Sequence, residues 1–528
     1  MLLDARTLED GTVLNVRTCV VGGGAAGVTV AMALADRGHD VLLLESGGLD
    51  GDADTQALYE AAMTGEQWGP EDAPTPVAAT RLRLLGGTTN HWAGYCRPLR
   101  AVDYEVRPGL SRSGWDIPAD ELERWYPPAT EVLGLRSRRF DPQHWHEETG
   151  HPLPLLRGDP EDNFTGAVFQ LSPVNFGSTY RGALEDSDRI TVALWANVTA
   201  LRAGESGRGI DEVAVQTLEG TTATVVADVV VLAVGGIETP RLLLASNQRG
   251  GLANEHDLVG RTFCEHFQNT LAFAVVTPSP DDLAGHLRQT YAIGDGDATV
   301  QSALVVKDEV LREGGLLGME AQLLPVPFPG DDVPVTLDGP SMADLAGLVP
   351  LTGDQPVRSV VLVQVNAEQE LNPASRVTLG PDVDALGMPR ADVHWAHTEL
   401  DRRSILTNLQ LLGRDLGRSE LGRLQVVAGS ARPGGDGAGL LSRFQIDPGR
   451  TDELDFHLAH GNHHMCTARL ADDPTRGVVD RDARVHGIEN LFLAGSAVFP
   501  TPGVAAPTIT LVALALRLAA HLDQGVLR

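Results

Sequence analysis

The stretch from Arg17 to Gly48 constrains the fold more than any other part of the chain. Thr18 to Val21 is a short β-branched and apolar run that reads as a buried strand. Gly22, Gly24 and Gly27 then spell G-x-G-x-x-G and open a segment, Ala25 to Arg37, rich in helix formers. Gly38 supplies a helix stop, and Val41 to Leu44 is a second buried strand ending in Glu45. The glycines have separate duties. Gly22 allows a tight turn, Gly24 lets the backbone approach a pyrophosphate, and Gly27 permits close helix–strand packing. The helix start offers unpaired N–H groups and a positive dipole end to phosphates. Glu45 follows about 20 residues beyond Gly24, where a carboxylate accepts from both ribose hydroxyls of an adenosine. Strand, glycines, helix, strand and acid in this order predict a dinucleotide site.

Charge and composition narrow the remaining options. The net charge of −30 argues against nucleic acid or an anionic membrane surface as partner. Lys307 is the only lysine in 528 residues, so a P-loop, which needs Gly-Lys-[Ser/Thr], is excluded. A Schiff-base enzyme would have to use Lys307, whose surroundings, Ala-Leu-Val-Val-Lys-Asp-Glu-Val, give no sign of a reactive pocket. Cys19, Cys96, Cys264 and Cys466 are widely spaced without a CxxC, which points to neither a zinc site nor a disulfide framework. The first ten residues lack the basic and apolar regions of a signal peptide. The longest uncharged run, 490–516, is broken by Pro500, Pro502 and Pro507 and cannot be one membrane helix. The expectation is a cytoplasmic protein without a membrane span.

Along the chain, Thr55 to Met63 reads as a short helix and Ala119 to Leu133 as an amphipathic one. Ile190 to Leu201 and Glu212 to Gln216 read as strands. The segment Leu85-Gly-Gly-Thr-Thr-Asn-His-Trp is too irregular for core, and loops so loaded with hydroxyls and rings usually carry function. His91-Trp92 can equally be a loop anchor. Val225 to Val234 followed by Gly235-Gly-Ile-Glu-Thr-Pro predicts another strand, turn and helix of the nucleotide-binding sheet. From about 266 the texture becomes alternating, in Thr270 to Thr277, Ala298 to Lys307, Arg358 to Asn366, Arg376 to Leu379 and Arg390 to His394. This predicts an antiparallel sheet with one exposed face. Residues 313–356 predict a long loop serving as a lid. The C-terminal part returns an apolar strand ending in Gly495-Ser496 and a helix opened by Pro507-Thr-Ile-Thr. The domain plan is therefore 1–265 and 455–528 as one nucleotide-binding domain, with 266–454 inserted as a substrate domain. The fold class is α/β, α+β overall: a Rossmann-like domain carrying an inserted, largely antiparallel sheet.

With these motifs in place the chain resembles the glucose–methanol–choline (GMC) family of FAD-dependent oxidoreductases. It is similar in particular to pyranose oxidases, glycoside oxidases and the large subunits of sugar dehydrogenases. The resemblance spans nearly the whole length. Besides the segments above it rests on Leu258-Val-Gly-Arg-Thr-Phe-Cys-Glu-His, His463-His-Met-Cys-Thr-Ala-Arg-Leu and Asn490-Leu-Phe-Leu-Ala-Gly-Ser-Ala-Val-Phe-Pro-Thr. It implies FAD as cofactor, held by Gly22, Gly24, Ala25, Ala26, Gly27, Glu45, Ser46, Gly87, Asn90, His91, Val198, Gly495, Ser496, Ala506, Pro507 and Thr508. His91 stands where pyranose oxidases attach the flavin covalently; related dehydrogenases carry a similar motif without that bond, and non-covalent FAD is expected here. The resemblance also implies oxidation of an alcohol, sugar or glycoside by hydride transfer to flavin N5. His463 matches the catalytic base and His464 follows it as a second candidate. The electron acceptor would be oxygen or a quinone, and a homo-oligomer is a further expectation.

The chain departs from the family at its second catalytic residue. Where Ala-Asn-Pro-Thr is usual, this sequence has Ala505-Ala-Pro-Thr, so Ala506 replaces the Asn. Cys466 replaces the usual Gly after His-His-Met. His464, His460 or His266 could take the missing role by position. Ala506 also leaves open a flavoprotein with lyase, desaturation or light-driven chemistry, or a non-catalytic flavoprotein subunit.

Overall fold

The computed structural model describes residues 1–66, 75–150, 160–246, 250–278, 283, 288–325, 359–426 and 458–528. Four parallel strands that end at one level build the frame for the site. Val21 is in register with Leu44 on one side and Leu232 on the other, and Leu232 with Leu493. Their carboxyl edge therefore carries the turns at Gly22, Glu45, Ala233 and Gly495 side by side. The full sheet runs Leu2–Asp4, Ile190–Leu194, Val41–Leu44, Thr12–Val21, Thr222–Leu232, Ile210–Gln216, Asn197–Ala203, with Leu491–Leu493 also on Thr222–Leu232. Val41–Leu44 is buried throughout, as expected of a parallel strand covered on both faces. Helix Ala25–Ala35 packs on helix Thr508–His521, which also lies against Tyr126–Val132. Among the described residues, Thr508–Val526 is the one helical stretch long and apolar enough to cross a membrane. Of its most apolar 18 residues, 67% are buried inside the protein.

The second sheet is antiparallel: Gly422–Val426, His266–Val276, Ser359–Glu368, Met319–Pro325, Gly296–Val306, Phe164–Leu171 and Tyr95–Cys96, with Gln289–Ile293 beside Gly296–Val306. Its strands alternate with period two. Val361, Val363, Val365, Met319, Ala321 and Leu323 enter one core with Ile405, Leu409 and Leu412 of helix Glu399–Arg418. The intervening Gln364, Asn366, Glu320 and Gln322 line a cavity on the opposite face.

Several expectations need correction. Thr55 to Met63 is not one helix: the helix is Ala53–Ala57, and Ala62–Gly65 is a strand parallel to Pro389–Trp395 in a separate sheet with Arg376–Val383. Ala119 to Leu133 divides into Ala119–Glu123 and Tyr126–Val132, the second started by consecutive prolines. Ile190 to Leu201 is interrupted at Trp195, whose φ of 55° turns the chain between Ile190–Leu194 and Asn197–Ala203. Of the expected lid, Met319–Pro325 is a strand of the second sheet, and 326–356 lies outside the described residues. Sheet membership also cuts across the boundary drawn at residue 265, because Tyr95–Cys96 and Phe164–Leu171 join the second sheet.

Candidate active site

Between the two sheets lies a cavity of about 600 Å³, within the range of small-molecule and cofactor pockets. One wall is the carboxyl edge of the parallel strands, where open α/β sheets bind their ligands. Gly22 adopts φ 105°, and a Cβ at Gly27 would stand 1.8 Å from the Gly22 carbonyl oxygen, so helix and strand meet only because both are glycine. Gly27 accordingly packs under the turn and does not line the cavity. Gly24 does line it, and an added Cβ there would meet no atom within 4 Å. Gly24 caps helix Ala25–Ala35 without a side-chain hydrogen bond, leaving the first-turn N–H groups at Ala25 and Ala26 beside open space. Pro507 starts Thr508–His521 in the same way, and Ala506, Pro507 and Thr508 line the same cavity. Two helix N-termini therefore converge on one cavity and make it electropositive for an anionic, dinucleotide-sized ligand.

Glu45 is buried at the turn. Its Oε2 accepts from Gly23 N at 2.8 Å, and its Oε1 from Gly47 N at 2.8 Å and Ser46 Oγ at 3.1 Å. These bonds hold the carboxylate at the cavity edge, with lone pairs left over for ribose hydroxyls. Ser46, Gly87, His91, Val198, Gly495 and Ser496 line the cavity too. Asn90 does not. Its Nδ2 donates to Leu85 O at 3.1 Å and Gly87 O at 2.7 Å, so it shapes the loop that presents Gly87 and His91. Trp92 lines the cavity and also ties the loop down, donating from Nε1 to Val174 O at 3.1 Å.

The two candidate catalytic histidines differ in what their rings do. Asn462 and Cys466 take φ values of 60° and 67°, bending the chain so that both rings reach the cavity. The left-handed conformation at Cys466 is the physical reason for a glycine in the family pattern. His463 is held through its main chain, its N–H donating to Glu265 Oε2 at 2.6 Å. Its ring Nδ1 lies 2.9 Å from His266 Nδ1, and His266 Nε2 lies 3.0 Å from Gly503 O. His464 Nε2 is instead engaged by Thr80 Oγ1 at 3.1 Å and faces Glu265 Oε1 at 3.3 Å, while Ser496 Oγ donates to its carbonyl at 2.7 Å. The remaining ring nitrogen of His463, Nε2, makes no hydrogen bond with another described residue, and the ring lines the cavity. Burial pushes His463 down to about 3, helped by His266, and burial likewise pushes His266 down to about 4. Both rings are neutral near pH 7. Glu265 is fully buried, and burial raises its carboxyl to about 8.

The far wall is the polar face of the antiparallel sheet, which the sequence patterning signalled only as an exposed face. Gln268 stands opposite Asn366, and Gln322 opposite Gln364. Asn366 Nδ2 donates to Glu320 Oε1 at 3.1 Å and to Val504 O at 2.9 Å. Both partners are acceptors, so the amide orientation is determined and Oδ1 remains unpaired. Arg97 donates to Glu320 at 3.0 Å, leaving that carboxylate no net demand for a cation. Arg81 and Arg83 are likewise paired with Glu238, at 2.7 and 3.0 Å. Burial pushes Glu238 up, and Arg81, Arg241 and Arg83 outweigh it, holding the carboxyl at about 2. These residues carry no local sequence signature, since each works through partners on other strands.

Comparison with known proteins agrees with this geometry. Residues 372–515 match the family model described as GMC oxidoreductase, and residues 17–255 that of the FAD dependent oxidoreductases. The chain is 24% identical over 579 residues to the fructose dehydrogenase large subunit of Gluconobacter japonicus, covering 96% of this chain and 97% of that one. It is 27% identical over 491 residues to the C-glycoside 3-oxidase of Microbacterium trichothecenolyticum, covering 88% and 79%. The crystal structure of pyridoxine 4-oxidase from Mesorbium loti shares the fold, with a TM-score of 0.52 at 19% identity over 96% of this chain and 99% of that one.

Proposed function

The chain belongs to the GMC family of FAD-dependent oxidoreductases acting on CH–OH groups, and we propose that it oxidises a hydroxyl of an uncharged, polyhydroxylated molecule such as a sugar or glycoside. The observation that carries this reading is the cavity itself, which the His463 ring and the amides of Gln268, Gln322, Gln364 and Asn366 line together. Amides both donate and accept, as hydroxyls do, so paired amides can read neighbouring hydroxyls of one substrate. The guanidiniums and carboxylates there are already paired with each other, which disfavours an ionic substrate. Gly24 and the two helix N-termini would hold the FAD pyrophosphate and the pyrimidine edge, and Glu45 the ribose. FAD supplies the hydride acceptor at N5. His463 Nε2 takes the hydroxyl proton, so that a carbinol losing hydride and proton leaves as a carbonyl compound. The amide wall orients the hydroxyl-bearing carbon.

The test is anaerobic titration of the purified holoenzyme, following flavin absorbance. Neutral polyols, sugars or glycosides should bleach it; bleaching by hydroxy acids alone, or by no alcohol in the panel, would overturn the proposal. Oxygen uptake against reduction of a quinone dye then identifies the acceptor.

A further inference from the structure

The place where a second catalytic group is expected is apolar here, because Ala506 lines the cavity with a methyl group. Orientation of the base has to come from elsewhere, and the hydrogen bonds beneath His463 supply it. Gly503 O can only accept, so His266 Nε2 must carry a proton. A neutral His266 then presents Nδ1 as a lone pair. The 2.9 Å contact between the two Nδ1 atoms requires a proton from the other side, so His463 carries its proton on Nδ1. The lone pair of His463 is left on Nε2.

We infer that His266 is a positioning residue that locks His463 in the Nδ1–H tautomer and reserves Nε2 for the substrate hydroxyl. The inference rests on the reading of His463 as the base. Its geometry is well constrained. The two rings meet edge to face, 85° apart with centroids 5.0 Å from each other. His266 is completely buried at the start of a strand. The strand neighbour of His266 is Glu368, whose carboxylate is taken up by Arg107 and by Gly318 N at 2.8 Å, and burial outweighs its pull toward a second proton on His266. Burial holding both rings neutral matters for the same reason. A cationic His266 would donate from Nδ1, reverse the chain and put the His463 proton on Nε2, removing the base. In the forward direction the arrangement also assists the reaction. When Nε2 takes a proton, the Nδ1–H of the imidazolium makes a charge-assisted bond to His266, the role a third group plays in oriented nucleophile–base pairs.

The experiment combines spectroscopy and kinetics on the FAD-loaded enzyme. With ¹⁵N-labelled histidine, His463 should show a protonated Nδ1 and an unprotonated Nε2 at neutral pH. In His266→Leu the tautomer should shift and kcat should fall on the order of 10²-fold while KM holds. His266→Asn, whose side-chain oxygen can take the place of Nδ1, should recover most of the loss. A proton on His463 Nε2 in the parent enzyme, or an unchanged kcat in His266→Leu, would overturn the inference. If His266→Leu does not fold, the parent spectrum and the Asn variant still decide. An active His463→Gln variant would sink the base reading instead, while the tautomer remains measurable on its own.

Discussion

Adding one methyl group at Gly24 or at Gly27 separates cofactor capture from folding within a single turn. At Gly27 the new Cβ would lie 1.8 Å from Gly22 O and 3.0 Å from Gly22 C, with no flexible side chain to yield. Strand and helix must move apart by about 1.5 Å to restore ordinary contact. Overpacking of this kind costs about 3 kcal/mol, the upper end for one inserted carbon. Gly27→Ala should therefore lower the melting temperature of the apoprotein by several degrees. At Gly24 nothing lies within 4 Å, and φ −82° with ψ −171° suits any residue. Gly24→Ala should leave apoprotein stability within about 0.5 kcal/mol. Its methyl would occupy space the pyrophosphate needs, costing one or two charge-assisted hydrogen bonds at about 1.5–3 kcal/mol each. FAD affinity should weaken on the order of 10²-fold. Scanning calorimetry of the apoproteins and quenching of flavin fluorescence on titration measure the two effects. If Gly24→Ala binds FAD as tightly as its parent, the pyrophosphate does not cross this turn and the cofactor placement is wrong.

Other perturbations probe the site from different sides. Glu265, held at about 8 by burial against 4.5 unperturbed, binds its proton more tightly when folded. Its stabilisation is complete below the unfolded value and is lost as pH rises through about 8, on the order of 5 kcal/mol in all. Glu265→Gln should flatten the fall in stability between about pH 5 and 9, and urea melts with parallel pH profiles would contradict this. Glu238→Gln leaves Arg81 and Arg83 buried without their carboxylate and should cost about 3–5 kcal/mol; a loss below about 1 kcal/mol in denaturant melts would show the network to be dispensable. Ala506→Asn puts an amide into the cavity beside the helix N-terminus and should raise kcat for alcohol oxidation by about 10-fold, part of what one well-placed donor carries. A fall in single-turnover flavin reduction would instead favour a chemistry built around the methyl group.

The strands, glycine turn and acid of residues 18–45 were legible because every relation among them is local. A turn, a helix start and a buried strand each leave their mark within a few positions, and the structure reproduces them as Thr12–Val21, Ala25–Ala35 and Val41–Leu44. The alternation of the second sheet was legible for the same reason, although its polar side was readable only as exposed. Boundaries failed where a single residue overrode the pattern, as Trp195 does by turning left-handed inside an apolar run. They failed again where a strand of the second sheet came from far up the chain, as with Phe164–Leu171.

The sequence by itself determined the cofactor class, because pyrophosphate recognition is written in the spacing of Gly22, Gly24 and Gly27 within one turn. It also singled out His463, through a motif contiguous in the chain. Only the tertiary structure decided which nitrogen of that residue is free. The answer depends on His266, 197 positions away, and on Gly503, 237 positions from His266, so the hydrogen-bond pattern of the His463 ring exists only once three distant segments are packed together.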